Sequence, residues 1–281
     1  MPPVARKNKS MTDRECIQLL QRTLPRLRLR WAGFRKVRGQ VCKRIAQRIG
    51  TLGLSGMPAY QAYLEDTPGE WATLDNSCRI TISRFYRDQG VFRLIEQLLF
   101  PDLARIALCQ GKSELTCWCA GCASGEEPYS LAILWRLRLQ ERFPGLRLNL
   151  LATDADETIL DRARQGIYQA SSLKELPPPL LTEAFVWATD RYQLKAPYRD
   201  AVQFLRHDLR HGTPGGPFDL ILCRNCAFTY FEESLQREVL TAIREALVPG
   251  GLLIIGIHET LPPGAAGFEP SGHKAGIYKK R

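Results

Sequence analysis

The chain has 281 residues, 44% hydrophobic and 24% charged, which is enough for one large domain or two ordinary ones. This composition excludes collagen-like, coiled-coil and wholly disordered chains. No apolar run approaches the ~18–20 residues of a membrane helix, and the longest candidate, Gly251 to Ile257, is strand-sized.

Residues 1–10 carry charge, with no apolar stretch and cleavage site after them, so no secretory signal is expected. Nine cysteines in a chain without such a signal read as reduced thiols of a soluble, cytoplasmic protein. Residues 1–50 hold 14 Lys/Arg against Asp13 and Glu15, a local +12, which leaves 25 Lys/Arg against 27 Asp/Glu elsewhere. The excess charge is N-terminal and suits an acidic partner.

Residues 1–11 read as a disordered arm. Thr12 and Glu15 have capping-box spacing, and Cys16, Ile17 and Leu20 share a helical face up to Pro25. Phe34, Val37, Val41, Ile45 and Ile49 recur every three or four residues and predict an amphipathic helix with Lys36, Lys43 and Arg44 on its other face. Shorter helices are expected near Pro58 and from Pro68 to Ser77, which makes residues 12–80 a helical N-terminal domain. Residues 81–114 then form a linker and connecting helix.

From Leu115 strands and helices alternate. The predicted strands are Leu115 to Ala120, Leu148 to Thr153, Val202 to Leu205, Phe218 to Cys223 and Leu252 to Ile257. Helices are expected from Glu127, over Glu157 to Arg164, and over Glu232 to Leu247. Alternation of this kind predicts a mostly parallel α/β sheet over 115–281, with a small inserted segment around 168–200.

The run Gly121-Cys122-Ala123-Ser124-Gly125-Glu126-Glu127 sits between a predicted strand and a helix, where α/β folds take nucleotide-like ligands. It lacks both phosphate-binding glycine fingerprints, and its glutamates would repel a pyrophosphate. Asp154, ending the next strand, is placed like the acidic residue that binds ribose hydroxyls. A nucleoside of positive charge, such as S-adenosylmethionine, meets both conditions.

Ser83 to Asp88, Gly121 to Ser130, Ala152 to Asp156, Gly166 to Tyr168 and Phe218 to Asn225 together resemble the CheR-type methyltransferases of bacterial chemotaxis. The resemblance runs from about Phe34 to Glu259 and implies a Rossmann-like class I methyltransferase fold with S-adenosyl-L-methionine as cofactor. It further implies transfer of the methyl group to glutamate side chains of a receptor-like protein, whose acidic helix would face the basic N-terminal helices.

Carried over by position, the resemblance puts Thr81, Ser83, Arg87 and Gly121 at the cofactor. Glu127 and Asp154 fall at its amino acid or ribose, Asp208 and Leu209 at its adenine side, and Asn225 and Cys226 at the sulfonium end. Arg87 and Tyr230 are the implied catalytic pair, with Thr229 the alternative to Tyr230 because this segment is one residue longer than the family pattern. A structural reading of Arg87 would pair it with Asp88.

Cys119, Cys122, Cys223 and Cys226 end neighbouring predicted strands, but small-residue packing is favoured over a metal, and no metal is expected. Competing readings are the same fold acting on a small molecule or RNA, and a cofactor-binding signalling module without activity. Nucleic acid is disfavoured, since Trp31 and Phe34 are the main aromatics among the basic residues.

Overall fold

In a computed structural model, which describes residues 12–273 and 276–281, the chain divides into two compact units. One comprises the chain up to Ile80 together with Thr229–Glu232, and the other comprises Thr81–Phe228 and Glu233–Arg281. The expected arm over 1–11 lies outside the described residues.

The first unit is helical: α1 (Asp13–Thr23), α2 (Trp31–Phe34), α3 (Arg38–Thr51), α4 (Met57–Asp66) and α5 (Glu70–Cys78). Thr12 and Glu15 form the predicted capping box of α1. Cys16, Leu19 and Leu20 are its buried face, whereas Ile17 is only half-buried. The Phe34-to-Ile49 periodicity is divided between α2, which buries Phe34, and α3, which buries Val41, Ile45 and Ile49. These side chains pack with Tyr60, Leu64 and Leu74 into one core, against which Tyr230 and Phe231 also lie.

Two expectations for this unit are corrected. Cys16 and Cys42 form a disulfide, so the chain does not carry nine thiols. The cationic face of α3 is also partly occupied. Arg48 donates to the buried Glu70 carboxylate from Nε (3.0 Å) and Nη2 (2.7 Å), and Arg44 donates to the Ser77 and Arg79 carbonyls. Lys36 and Lys43 stay exposed.

The second unit opens with a long helical stretch: α6 (Gln89–Leu94), a wide π turn over Ile95–Leu99, and α7 (Phe100–Cys109). Then come β1 (Glu114–Ala120), α8 (Glu126–Leu134), β2 (Arg147–Asp154) and α9 (Glu157–Gln165). The segment around 168–200 holds a small antiparallel sheet of β3 (Ile167–Tyr168), β4 (Phe185–Ala188) and β5 (Arg191–Leu194), in the order β3-β5-β4. It also contains α10 (Pro178–Ala184) and α11 (Ala196–Arg199). The main sheet resumes with β6 (Val202–Arg206) and β7 (Phe218–Cys223), which α12 (Ala227–Tyr230), α13 (Glu233–Ala246) and β8 (Leu247–Ile255) follow.

Last come β9 (Phe268–Pro270) and β10 (Ile277–Lys280), which pair antiparallel and dock β10 on β8. Neither strand has a pattern in the sequence that predicts it, and β8 ends at Ile255, two residues before the predicted Ile257.

The main sheet has the order β6-β2-β1-β7-β8-β10-β9, with the first five strands parallel. This is the Rossmann-like arrangement: β1 is central, and the order reverses on its two sides, so a crevice opens at its carboxyl end. Strand β7 is buried throughout. Its buried Asp219 accepts from Lys112 Nζ (2.7 Å) and the Thr116 amide (2.9 Å) and so ties the strand to the foot of β1.

Candidate active site

At the carboxyl end of β1 the chain turns sharply, and the Gly121 and Cys122 amides both donate to the Thr153 carbonyl of β2 (2.8 and 2.9 Å). Gly121 has φ +73°, and a Cβ there would sit 2.6 Å from Cys226 Sγ, so only glycine fits between the turn and the loop after β7. Ala123 is left-handed as well, φ 48°. Its amide is held by Asp154 Oδ2 at 2.9 Å, while Oδ1 accepts from the Asp156 amide at 3.0 Å. Asp154 thus shapes the glycine-rich turn besides lying at the strand end.

The first turn of α8 carries two glutamates with different surroundings. Glu126 is buried and accepts from Ser124 Oγ (2.9 Å). Glu127 Oε2 accepts from Arg224 Nη1 at 2.9 Å. Burial raises the pKa of both carboxyls, and Arg224 pulls Glu127 back down. Further along α8, Tyr129 donates to the Ala163 carbonyl (2.8 Å), and Ser130 Oγ accepts from the Tyr86 amide (3.1 Å). The Tyr168 hydroxyl donates to the Ser124 carbonyl (2.7 Å). Separate sequence blocks therefore interlock around one turn.

After β7, the Asn225 amide donates to Glu259 Oε2 at 2.8 Å, and the Gly256 amide donates to the same oxygen. Asp208 accepts from the Arg210 backbone and guanidinium and caps the short turn Leu209–His211. Arg87 does not pair with Asp88. Its Nη1 donates to the Ile82 carbonyl (3.3 Å), whereas Asp88 pairs with Arg224 (2.7 Å).

Residues 81–277 match the family model described as "CheR methyltransferase, SAM binding domain". The chain belongs to the CheR methyltransferase family. A chemotaxis protein methyltransferase of Listeria innocua serovar 6a is 37% identical over 183 residues, 65% of this chain and 66% of that protein. One of Escherichia coli strain K12 is 33% identical over 230 residues, 79% of this chain and 76% of the relative. An uncharacterized 104.1 kDa protein of Rhodobacter capsulatus is 30% identical over 224 residues, 79% of this chain but 23% of its own length. The chain thus spans just under two thirds of the Listeria relative and under a quarter of the Rhodobacter one.

The second unit is the CheR S-adenosylmethionine-binding domain, and its residues suit that ligand. Two carboxylates lie at the turn, Asp154 on the Ala123 amide and Glu127 paired with Arg224, and a turn of this composition suits a cationic sulfonium nucleoside better than a pyrophosphate. Of the sequence-predicted residues, Thr81, Ser83, Arg87, Gly121, Glu127, Asp154, Asp208, Leu209, Asn225 and Cys226 belong to this unit, whereas Tyr230 belongs to the first. There its ring lies 5.2 Å from Phe34, and its carbonyl accepts from the Arg30 amide.

Among the described residues, no three of His, Cys, Asp or Glu gather as metal ligands. Burial drives the thiols of Cys119, Cys122, Cys223 and Cys226 well above their ordinary pKa. Two residues that the sequence does not single out, Arg224 and Glu259, contact residues it does, Glu127 and Asn225. Arg224 lies in the Phe218-to-Asn225 run, where an Arg-Asn pair directly after a buried strand is the available signal, and Glu259 stands at the end of the stretch the resemblance covers.

Proposed function

We propose that this chain transfers a methyl group from S-adenosylmethionine to glutamate side chains of an acidic signalling protein, in the cytoplasm. The observation that carries the reading is the CheR family match over residues 81–277. Bound at this turn, the cofactor supplies a methyl group activated by a sulfonium charge.

A glutamate acceptor, with pKa ~4.3, is ionised at neutral pH, so the chain needs no general base. Its tasks are alignment and exclusion of water. Arg87 orients the acceptor carboxylate through two parallel hydrogen bonds, and Tyr230 donates a third. Asp154 and Glu127 hold the ribose and amino acid parts, Leu209 and Asp208 flank adenine, and Asn225 and Cys226 border the sulfonium. Thr81, Ser83 and Gly121 complete the cradle.

The exposed cations Arg35, Lys36 and Lys43 face the acidic acceptor. No helix of the described residues is long and apolar enough to cross a membrane. Seven cysteines remain as thiols, which supports a reducing compartment, although Cys16–Cys42 is bonded.

The test is incubation of lysate with the protein and methyl-labelled cofactor. Label on protein that mild alkali releases is the expected result, because carboxyl methyl esters hydrolyse and N-methyl groups do not. Alkali-stable label, or label on RNA, overturns the reading.

A further inference from the structure

Arg224 is 7% exposed, with its side chain at 2%, yet its hydrogen bonds go to three acceptors on two separate segments. Nη1 reaches Glu127 on α8 (2.9 Å), while Nη2 reaches both the Asp88 carboxylate (2.7 Å) and the Arg87 carbonyl (2.9 Å). Its guanidinium also lies over the Phe92 ring at 5.5 Å, and Nε has no hydrogen-bond partner among the described residues. An incompletely satisfied buried guanidinium is a costly way to fill that volume.

The segment it grips is strained. Tyr86 (φ 58°) and Asp88 (φ 64°) are both left-handed without being glycine, and they flank Arg87. Such backbone persists only where its surroundings hold it. Further holds include the Tyr86 amide on Ser130 Oγ, the Asp88 amide on Glu175 Oε2 (3.2 Å) and the Tyr86 ring stacked on Phe92. Among the described residues, Arg224 is the side chain whose hydrogen bonds join this turn to the cofactor-side glutamate.

We propose that Arg224 is a positioning residue for methyl transfer, holding the Tyr86-to-Asp88 turn, and with it the Arg87 guanidinium, at a fixed distance from Glu127. The proposal rests on the methyl-transfer reading above. A lysine offers one compact ammonium and cannot span the same three acceptors in plane.

The test is a double-mutant cycle of Arg224→Lys and Arg87→Ala. Activity is read as base-labile methyl transfer to a synthetic helical peptide bearing paired glutamates, and calorimetry with S-adenosylhomocysteine follows binding. Arg224→Lys should lower kcat at least ~10-fold in the parent chain but less than ~2-fold when Arg87 is already Ala. Equal losses in both backgrounds, or no loss, overturn the proposal.

Amide hydrogen exchange supplies a readout that does not need turnover. Arg224→Lys should speed exchange at least ~10-fold over residues 86–91 while leaving β1 and β2 unchanged. A uniform rise, or none, overturns the proposal even where the peptide is not methylated by the parent chain. Absence of labelling by the parent chain counts against methyl transfer, whereas the exchange pattern judges Arg224.

Discussion

Asp154 and Ala123 are joined by a 2.9 Å hydrogen bond from the Ala123 amide to the Asp154 carboxylate, and Ala123 is one of the few left-handed residues that are not glycine. The side chain that shapes the turn is also the one proposed to hold the cofactor's ribose. Asp154→Ala should weaken S-adenosylhomocysteine binding 5- to 150-fold, about 1–3 kcal/mol, as read by calorimetry. Unchanged affinity would remove Asp154 from the site.

Binding and turnover separate at Arg87. Its guanidinium makes one long contact, to the Ile82 carbonyl at 3.3 Å, so Arg87→Ala loses little internal structure. Most cofactor affinity should remain while methyl transfer falls at least ~10-fold; Tyr230→Phe, which removes one hydroxyl, should cost less. A Tyr230→Phe rate equal to that of the parent chain would instead place Thr229 at the methyl group.

The helical unit should show a defined acid response. Hydrogen bonds from Arg48, and then from Tyr60, hold the Glu70 carboxyl below its ordinary pKa. A lowered folded-state value means that this stabilisation is complete above the ordinary carboxylate range and is lost as pH falls through the folded value. Melting temperature should therefore drop with acidification below about pH 4.5 more steeply in the parent chain than in Glu70→Gln. Parallel curves would refute the assignment.

The cations in and just before α3 should divide into two groups. Arg44→Gln and Arg48→Gln each break contacts inside the helical unit and should lower its melting temperature, with Arg48 the more costly because Glu70 is then left buried without its cation. Lys36→Gln with Lys43→Gln should leave melting unchanged, slow methylation of the protein acceptor at low salt, and flatten its salt dependence. If acceptor methylation is untouched, these lysines are only a solvated face.

The parallel strands were legible because buried α/β strands are short apolar runs set between helical periods, as in Phe218 to Cys223. The packing of Val41, Ile45 and Ile49 was legible for a related reason: spacing alone puts them on one face. Strands β9 and β10 had no such period, being three and four residues long and paired only through the rest of the sheet.

The Cys16–Cys42 bond was hidden because spacing does not reveal which thiols meet. Arg224 escaped notice because its partner Glu127 lies 97 residues away, and the value of a buried charge resides in partners that composition does not display. At the turn itself, Gly121 and Asp154 were readable because backbone geometry and strand position restrict those places to few residue types.

Residues Thr229–Glu232 belong to the helical unit although residues 81–228 and 233–281 belong to the other. The chain consequently passes between the units at three points, after residues 80, 228 and 232. Leu29 bridges to Phe231 and Arg28 pairs with Glu232, so a fragment ending at Ile80 lacks the final strand partner of its own unit. A protease that nicks the chain after Ile80 would leave residues 1–80 without a covalent link to the tetrapeptide that completes their unit, because the Cys16–Cys42 bond lies within the released piece, and exchange of the N-terminal unit between relatives requires grafting the tetrapeptide along with it.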